Sequence, residues 1–295
     1  VLAARLLVKY PNVDVISSEQ SNTVKQITSL LTKRKKRIEL GLTVVEGPRI
    51  VLDLLKNENT RGLVRQAVVA CDKSEWMAEV LKFEDVHVCE GTPAVLAKCS
   101  DTMTPQGIVA TVQIPPEPSR EAPPSRSANP LYLVLDGVSD PGNVGTLLRS
   151  SVAVGVAAVI LMPGCCDVWN PKAVRSAMGC SFQVPILSVG SLNEALDVLD
   201  TWKVHDVFAA TMEDSGNASS TAHHEVDWAQ HASALLIGSE GNGLSKEVRD
   251  LVASGQLRSL HVPMESGIES LNAAVCGSVI LFEYHRKKTT IDPTG

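Results

Sequence analysis

The chain has 295 residues, 44% hydrophobic and 20% charged, enough apolar material for about two packed domains and too much for a disordered chain. Aromatic residues are only 4%, which argues against a surface built on base stacking, and the longest apolar run, Val152 to Met162, is too short to cross a bilayer. The net charge of −6 is unevenly divided: residues 1–113 carry 15 Lys/Arg against 13 Asp/Glu, and residues 131–295 carry 10 against 18.

Residues 1–20 are weakly patterned. From Thr23, the apolar positions Val24, Ile27, Leu30, Leu31 and Ile38 follow helical spacing, with Ser21 and Asn22 available as caps and Gly41 as the stop. That predicted helix carries Lys33-Arg34-Lys35-Lys36-Arg37, a basic run that could engage phosphates locally while the whole molecule stays acidic. A solvated helix face would read the same way. Residues 42–57 read as a strand, a turn at Glu46-Gly47-Pro48 and an amphipathic helix. Strand-like runs at 66–71 and 86–89 flank a helical segment, and the polar stretch 101–107 leads into a last strand at 108–114. This alternation predicts a small α/β domain over residues 1–114. Residues 115–130 are rich in proline and poor in large apolar side chains, which marks a semi-extended linker.

Residues 131–295 alternate strand and helix throughout. Strands are predicted at 131–136, 157–162, 183–187, 206–211, 233–237 and 259–262, and helices near 145–153, 171–178, 191–201, 244–253 and 270–286. Such alternation predicts a parallel sheet covered on both faces. Three of these strands run into polar, glycine-containing loops and then helices: LYLVLDGVSDPGNVGTLLRS at 131–150, SALLIGSEGNGLSKEV at 233–248 and the stretch 259–288. Strand ends of this kind build a site at the carboxyl edge of a parallel sheet. Neither the first loop nor the second carries GxGxxG or GxxxxGK[ST], so an α/β enzyme using a nucleotide cofactor is poorly supported. No metal is expected, because His223-His224-Glu225 has no further ligand spacing. Seven cysteines include one vicinal pair and no CxxC, the usage of reduced intracellular thiols.

The three loop blocks, in this order, resemble the signature motifs of the SpoU/TrmH branch of the SPOUT RNA methyltransferases over about residues 131–288. The segments EGPR (46–49) and PQGI (105–108) resemble the accessory substrate-binding domain that precedes many of those catalytic domains, a fold related to RNA-binding ribosomal proteins. The resemblance implies S-adenosylmethionine as cofactor and 2′-O-ribose methylation of a structured RNA, ribosomal RNA before transfer RNA. It places Asn143, Arg149, Glu240, Ser270 and Asn272 on the acceptor side. The cofactor falls to Thr211, Ile237, Gly238, Gly241, Val262, Pro263, Met264 and Leu271. It also implies a C-terminal trefoil knot, an exception to the rule that chains do not thread loops, and a homodimer in which Arg149 faces the partner's cofactor. Such families often assign the arginine as general base, but a guanidinium with a pKa above about 12 is better suited to holding a phosphate or a developing alkoxide. Taken singly the residues have ordinary readings: Arg149 as a surface charge, Asn143 as turn chemistry, Glu240 as a loop residue, Ser270 as an N-cap. Asn272 within an apolar helix is harder to dismiss, since a polar amide there needs partners. A catalytically inactive RNA-binding protein of the same fold is the alternative. The basic N-terminal domain favours an organelle, chloroplast or mitochondrion, over bacterial cytoplasm.

Overall fold

The computed structural model describes residues 13–291, apart from 126, 128, 212–219, 229 and 267–269. The chain divides into two compact units, residues 1–115 with 169–183, and residues 116–168 with 184–295. Among the described residues, no helix is long and apolar enough to cross a membrane.

The first unit is a five-stranded sheet, β1 (Asp14–Ile16), β2 (Leu42–Glu46), β3 (Val64–Ala70), β4 (His87–Gly91) and β5 (Ile108–Gln113), in the order β1-β4-β3-β5-β2. β1, β4 and β3 run parallel, and β5 lies antiparallel to both β3 and β2. The helices are α1 (Asn22–Thr32), α2 (Arg34–Leu40), α3 (Pro48–Lys56), α4 (Glu58–Arg61), α5 (Ser74–Val80) and α6 (Pro93–Lys98). α3 buries Ile50, Val51, Leu54 and Leu55, side chains that each stabilise by roughly 1.5–3 kcal/mol when taken out of water. Glu46, at the end of β2, is buried, and its Oε1 accepts from Ser100 Oγ (2.7 Å), Thr102 Oγ1 (3.0 Å) and the Gln106 amide (3.2 Å). This carboxylate is the physical link between the EGPR and PQGI segments.

The single helix predicted from Thr23 to Gly41 is two helices, broken at Lys33, which has extended backbone (φ −120°, ψ 106°). The break is stabilised by Arg37. Its Nη1 reaches back to the carbonyls of Leu30 (2.5 Å) and Leu31 (3.4 Å), acceptors that the end of α1 leaves open. Arg37 is therefore buried, whereas Lys33, Arg34 and Lys35 are exposed and Lys36 half-buried.

The segment 169–183 contributes α8 (Pro171–Ser176) and a short 3-10 turn (Cys180–Phe182) to this unit. Thr43 Oγ1 donates to the Trp169 carbonyl at 2.6 Å, Arg175 pairs with Asp101 at 2.6 Å, and Val174 and Phe182 join the core formed by Ile50, Leu54 and Val69.

The second unit is a seven-stranded, wholly parallel sheet. Its strands are β6 (Leu131–Asp136), β7 (Ala158–Leu161), β8 (Ile186–Ser188), β9 (Asp206–Ala210), β10 (Thr221–Ala222), β11 (Ser233–Gly238) and β12 (Arg258–His261), in the order β10-β12-β9-β11-β6-β7-β8. α7 (Pro141–Val154), α9 (Leu192–Thr201), α10 (Lys246–Ala253) and α11 (Ala273–Ile291) accompany them. β6 is buried at every residue, as the continuous apolar run LYLVL requires of a central parallel strand. Gly277 lets α11 approach α7 closely, since a Cβ there would lie 2.5 Å from Leu147 Cδ2.

Two helix starts differ from expectation. α7 begins at Pro141 rather than near 145, because Asp140 caps it through the Asn143 amide (2.9 Å) and proline occupies the first position. α11 begins after Asn272, not at Ser270. Asn272 is the N-cap: its Oδ1 accepts from the Ala274 and Val275 amides at 3.0 and 3.3 Å, and its carbonyl from Cys276 at 2.9 Å.

Candidate active site

β12, β9 and β11 are neighbours in the sheet, and their carboxyl ends open onto a cavity of about 820 Å³. That volume suits a small-molecule cofactor, whose pockets typically span about 300–1,000 Å³. Thr211, Ile237, Gly238, Gly241, Val262, Met264 and Leu271 all line it, as does Ser270. Pro263 is exposed and does not. Ile237, Val262, Met264 and Leu271 supply apolar wall, and the glycine loop supplies backbone amides and carbonyls.

The loop after β11 is closed on itself. Ser239 and Gly243 exchange both backbone hydrogen bonds, at 2.9 and 3.0 Å, and Gly243 takes the left-handed conformation with φ 63°. Gly238 is enforced by this closure: a Cβ there would lie 2.4 Å from the Gly243 carbonyl carbon, in contact with backbone that cannot swing aside. Behind the loop, buried Asp136 at the end of β6 accepts from the Ser245 amide at 2.6 Å, and Ser245 in turn caps α10.

Three of the sequence-predicted residues meet directly. Asn143 Nδ2 donates to Glu240 Oε1, and Asn143 Oδ1 accepts from Asn272 Nδ2 at 3.1 Å. One residue from each of the three loop blocks thus joins a single chain of hydrogen bonds running Glu240–Asn143–Asn272, which ends in the cap of α11. Glu240 lines the cavity, so the chain reaches its rim. Arg149 is not part of this cluster. It is exposed, does not line the cavity, and among the described residues its side chain makes no hydrogen bond or ion pair.

Cysteine chemistry is disfavoured here. Burial pushes the Cys165 thiol up to about 11, and burial, followed by its neighbours Cys165, Asp167, Asp140 and Glu240, pushes Cys166 up to about 12. Burial also raises Cys276, which lines the cavity. Thiols held protonated are poor nucleophiles. Cys276 and Arg249 were not legible as cavity residues, because both lie inside helices beyond the glycine loops that signal the site. His223 and His224 stack edge to face at 5.4 Å and belong to no group of converging metal ligands among the described residues.

Residues 130–282 match the SpoU rRNA Methylase family, and residues 21–110 match an MRM3-like substrate binding domain. The chain is 30% identical to rRNA methyltransferase 3A, mitochondrial, of Danio rerio, with 90% of this chain and 68% of that protein aligned. It is 28% identical to the 23S rRNA (guanosine(2553)-2′-O)-methyltransferase RlmP of Bacillus subtilis, over 90% of this chain and 97% of that one. The solved structure of the SpoU methyltransferase AviRb from Streptomyces viridochromogenes, in complex with AdoMet, superposes with a TM-score of 0.77 at 26% identity. That match covers 92% of this chain and 99% of AviRb.

Proposed function

Because the chain belongs to the SpoU rRNA methylase family, we propose that it transfers a methyl group from S-adenosylmethionine to a ribose 2′-hydroxyl of ribosomal RNA. The observation that carries this reading is the Glu240–Asn143–Asn272 chain at the rim of a cofactor-sized cavity. When bound, S-adenosylmethionine supplies an electrophilic methyl carbon on a sulfonium that leaves as a neutral thioether while the hydroxyl proton passes to solvent, so the transfer requires no metal. The apolar walls at Ile237, Val262, Met264 and Leu271 would flank its adenine ring, and the backbone of the 238–243 loop would hold its polar edges. The side chains of Asn143, Glu240, Ser270 and Asn272 orient the acceptor nucleotide. Fixing hydroxyl and methyl in line supplies much of the barrier reduction, and effective concentration alone can contribute about 7–11 kcal/mol.

Arg149 holds the acceptor phosphate and stabilises the developing alkoxide, and it does so in the partner's site. Six residues of α7 separate it from Asn143, which leaves the two side chains about 120° apart around the helix. Asn143 turns to its own cavity rim, so Arg149 projects elsewhere. The homodimer in this reading is supported by α11, where Val275, Val279 and Phe282 recur at helical spacing with 51%, 38% and 52% exposure. The trefoil knot belongs to the same reading, with β12 inserted between β10 and β9 and α11 returning onto α7. The boundaries 1–114, 115–130 and 131–295 are kept as functional divisions, with Lys33 to Lys36 presented to RNA. An organelle location also belongs here: the relatives include a mitochondrial and a bacterial protein. An inactive RNA-binding protein would have no need of the intact three-block hydrogen-bond chain. Calorimetry is the test. S-adenosylmethionine or its demethylated product should bind; tight binding of ATP or NAD with neither of these would overturn the reading.

A further inference from the structure

Away from the methyl-transfer site, three side chains of the first unit converge with the donor set of a transition-metal site. Asp14 on β1 pairs in register with Cys89 on β4, and His87 lies two residues before Cys89, on the same side of the strand. His87 Nε2 is 2.9 Å from Asp14 Oδ2 and 3.9 Å from Cys89 Sγ, and one ligand atom from each residue lies within 4.8 Å of the others. Ligands held tetrahedrally at about 2.0–2.3 Å from zinc are separated by roughly 3.3–3.6 Å, so the observed spacings bracket what coordination needs. Asp14 and His87 are exposed and free to close the small difference, while Cys89 is buried and fixed.

A fourth residue orients the imidazole. Gln66 on β3 is the register partner of His87, and its side-chain Nε2 lies 3.1 Å from His87 Nδ1 and donates to Cys89 Sγ at 3.3 Å. The oxygen and nitrogen of a glutamine amide are interchangeable by rotation. With the oxygen turned to Nδ1–H, Gln66 gives up its donation to Cys89 Sγ and the ring is held in the tautomer whose Nε2 lone pair faces Asp14 and Cys89. A hydrogen-bond acceptor on the far nitrogen is the usual support of a metal-binding histidine.

We propose that Asp14, His87 and Cys89 bind one borderline divalent cation, of the Zn²⁺ and Co²⁺ class, with water completing the shell. A mixed thiolate, imidazole and carboxylate set selects such ions over Mg²⁺ or Ca²⁺. Coordination replaces the thiol proton of Cys89, which passes to buffer, and no electron is exchanged. The ion would staple β1, a three-residue edge strand paired only with β4, to the rest of the sheet. Asp14 lies 73 residues from His87 in sequence, which is why no motif spacing announces the set.

The test is a Co²⁺ titration of the full chain, freed of any affinity tag. One equivalent should produce a near-ultraviolet thiolate-to-cobalt charge-transfer band, which excess Zn²⁺ abolishes. The band should vanish in Cys89→Ser, and cobalt affinity should fall at least about tenfold in His87→Gln and Asp14→Asn, in line with loss of a ligand. Six other cysteines serve as the internal control: a band that persists unchanged in Cys89→Ser overturns the proposal, as does its absence from the wild-type protein. Were Cys89→Ser to misfold by circular dichroism, the exposed His87→Gln substitution decides alone, and wild-type cobalt affinity there overturns the site.

Discussion

Asn272 and Asn143, 129 residues apart in sequence, are joined amide to amide, Nδ2 to Oδ1 at 3.1 Å. The contact fixes the start of α11 against the start of α7 and leaves the other end of the Asn143 amide for Glu240. Asn143→Ala should break both links. Each is near the surface and contributes only about 0.5–1.5 kcal/mol to folding, so the variant should remain folded. Methyl transfer should fall by about 10²-fold or more through lost positioning, with cofactor affinity within a few-fold of wild type. Asn143→Asp should be worse than alanine, because it sets a second carboxylate against Glu240. Single-turnover rates beside a cofactor titration would check both.

Arg149→Ala should nearly abolish transfer while leaving cofactor binding unchanged, and Arg149→Lys should rescue little, since an ammonium lacks the planar fork. If the arginine serves the partner's site, mixing Arg149→Ala with Asn272→Ala should restore about a quarter of wild-type activity. Half of the reassorted dimers would then carry one intact site. Mixed protein as inactive as its parents would place Arg149 in its own subunit's site.

The basic run divides into two roles. Replacing Lys33, Arg34 and Lys35 with Ser or Gln should weaken RNA binding and flatten its salt dependence without altering stability. Arg37→Ala should do the reverse. It removes the guanidinium bound to the Leu30 carbonyl and should destabilise the first unit by about 1–3 kcal/mol. Filter binding across a salt series and urea unfolding separate the two effects.

Gly238→Ala forces a methyl group into the Gly243 backbone. The loop must open to admit it, at about 1–3 kcal/mol. Affinity for S-adenosylmethionine should be lost before the fold is. A variant that binds cofactor normally would show that the 238–243 loop does not shape the cavity.

The buried thiols predict a pH dependence of stability. A thiol in the unfolded chain ionises near ~8.5, whereas Cys165 and Cys166 hold their protons to about 11 and about 12 in the fold. Between these values the unfolded state binds fewer protons than the folded one, so stability is full below ~8.5 and is lost as pH rises above it. Urea midpoints measured at neutral and alkaline pH should show a steeper loss for wild type than for a Cys165→Ala, Cys166→Ala double variant. Parallel slopes would contradict this.

Much of this architecture is legible in the sequence because central parallel strands, such as Leu131–Asp136 and Ser233–Gly238, are buried on both faces and read as unbroken apolar runs. What the sequence hid was decided at long range or at single residues. The break at Lys33 depends on Arg37 finding the Leu30 carbonyl, and the basic run gives no hint that one of its five charges turns inward. Asn272 reads as a polar residue inside a helix, but a shift of three residues in the helix start, from 270 to Ala273, makes it a cap. Segment 169–183 packs with the first unit through Thr43 and Asp101, contacts that no local pattern encodes. Among the site residues, the glycine loops pointed to the cavity, but they could not show that Asn143 would bridge Glu240 and Asn272 while Arg149 faces away.

Ribose methylation is the central claim, and nucleoside analysis of the product tests it most directly. Ribosomal RNA incubated with the protein and methyl-labelled S-adenosylmethionine would be digested to nucleosides and resolved by mass spectrometry. The account predicts label in a single 2′-O-methylated nucleoside, resistant to alkaline cleavage at its 3′ side and absent with Arg149→Ala. Label on a base, or none in RNA from a folded protein that binds the cofactor, would contradict it.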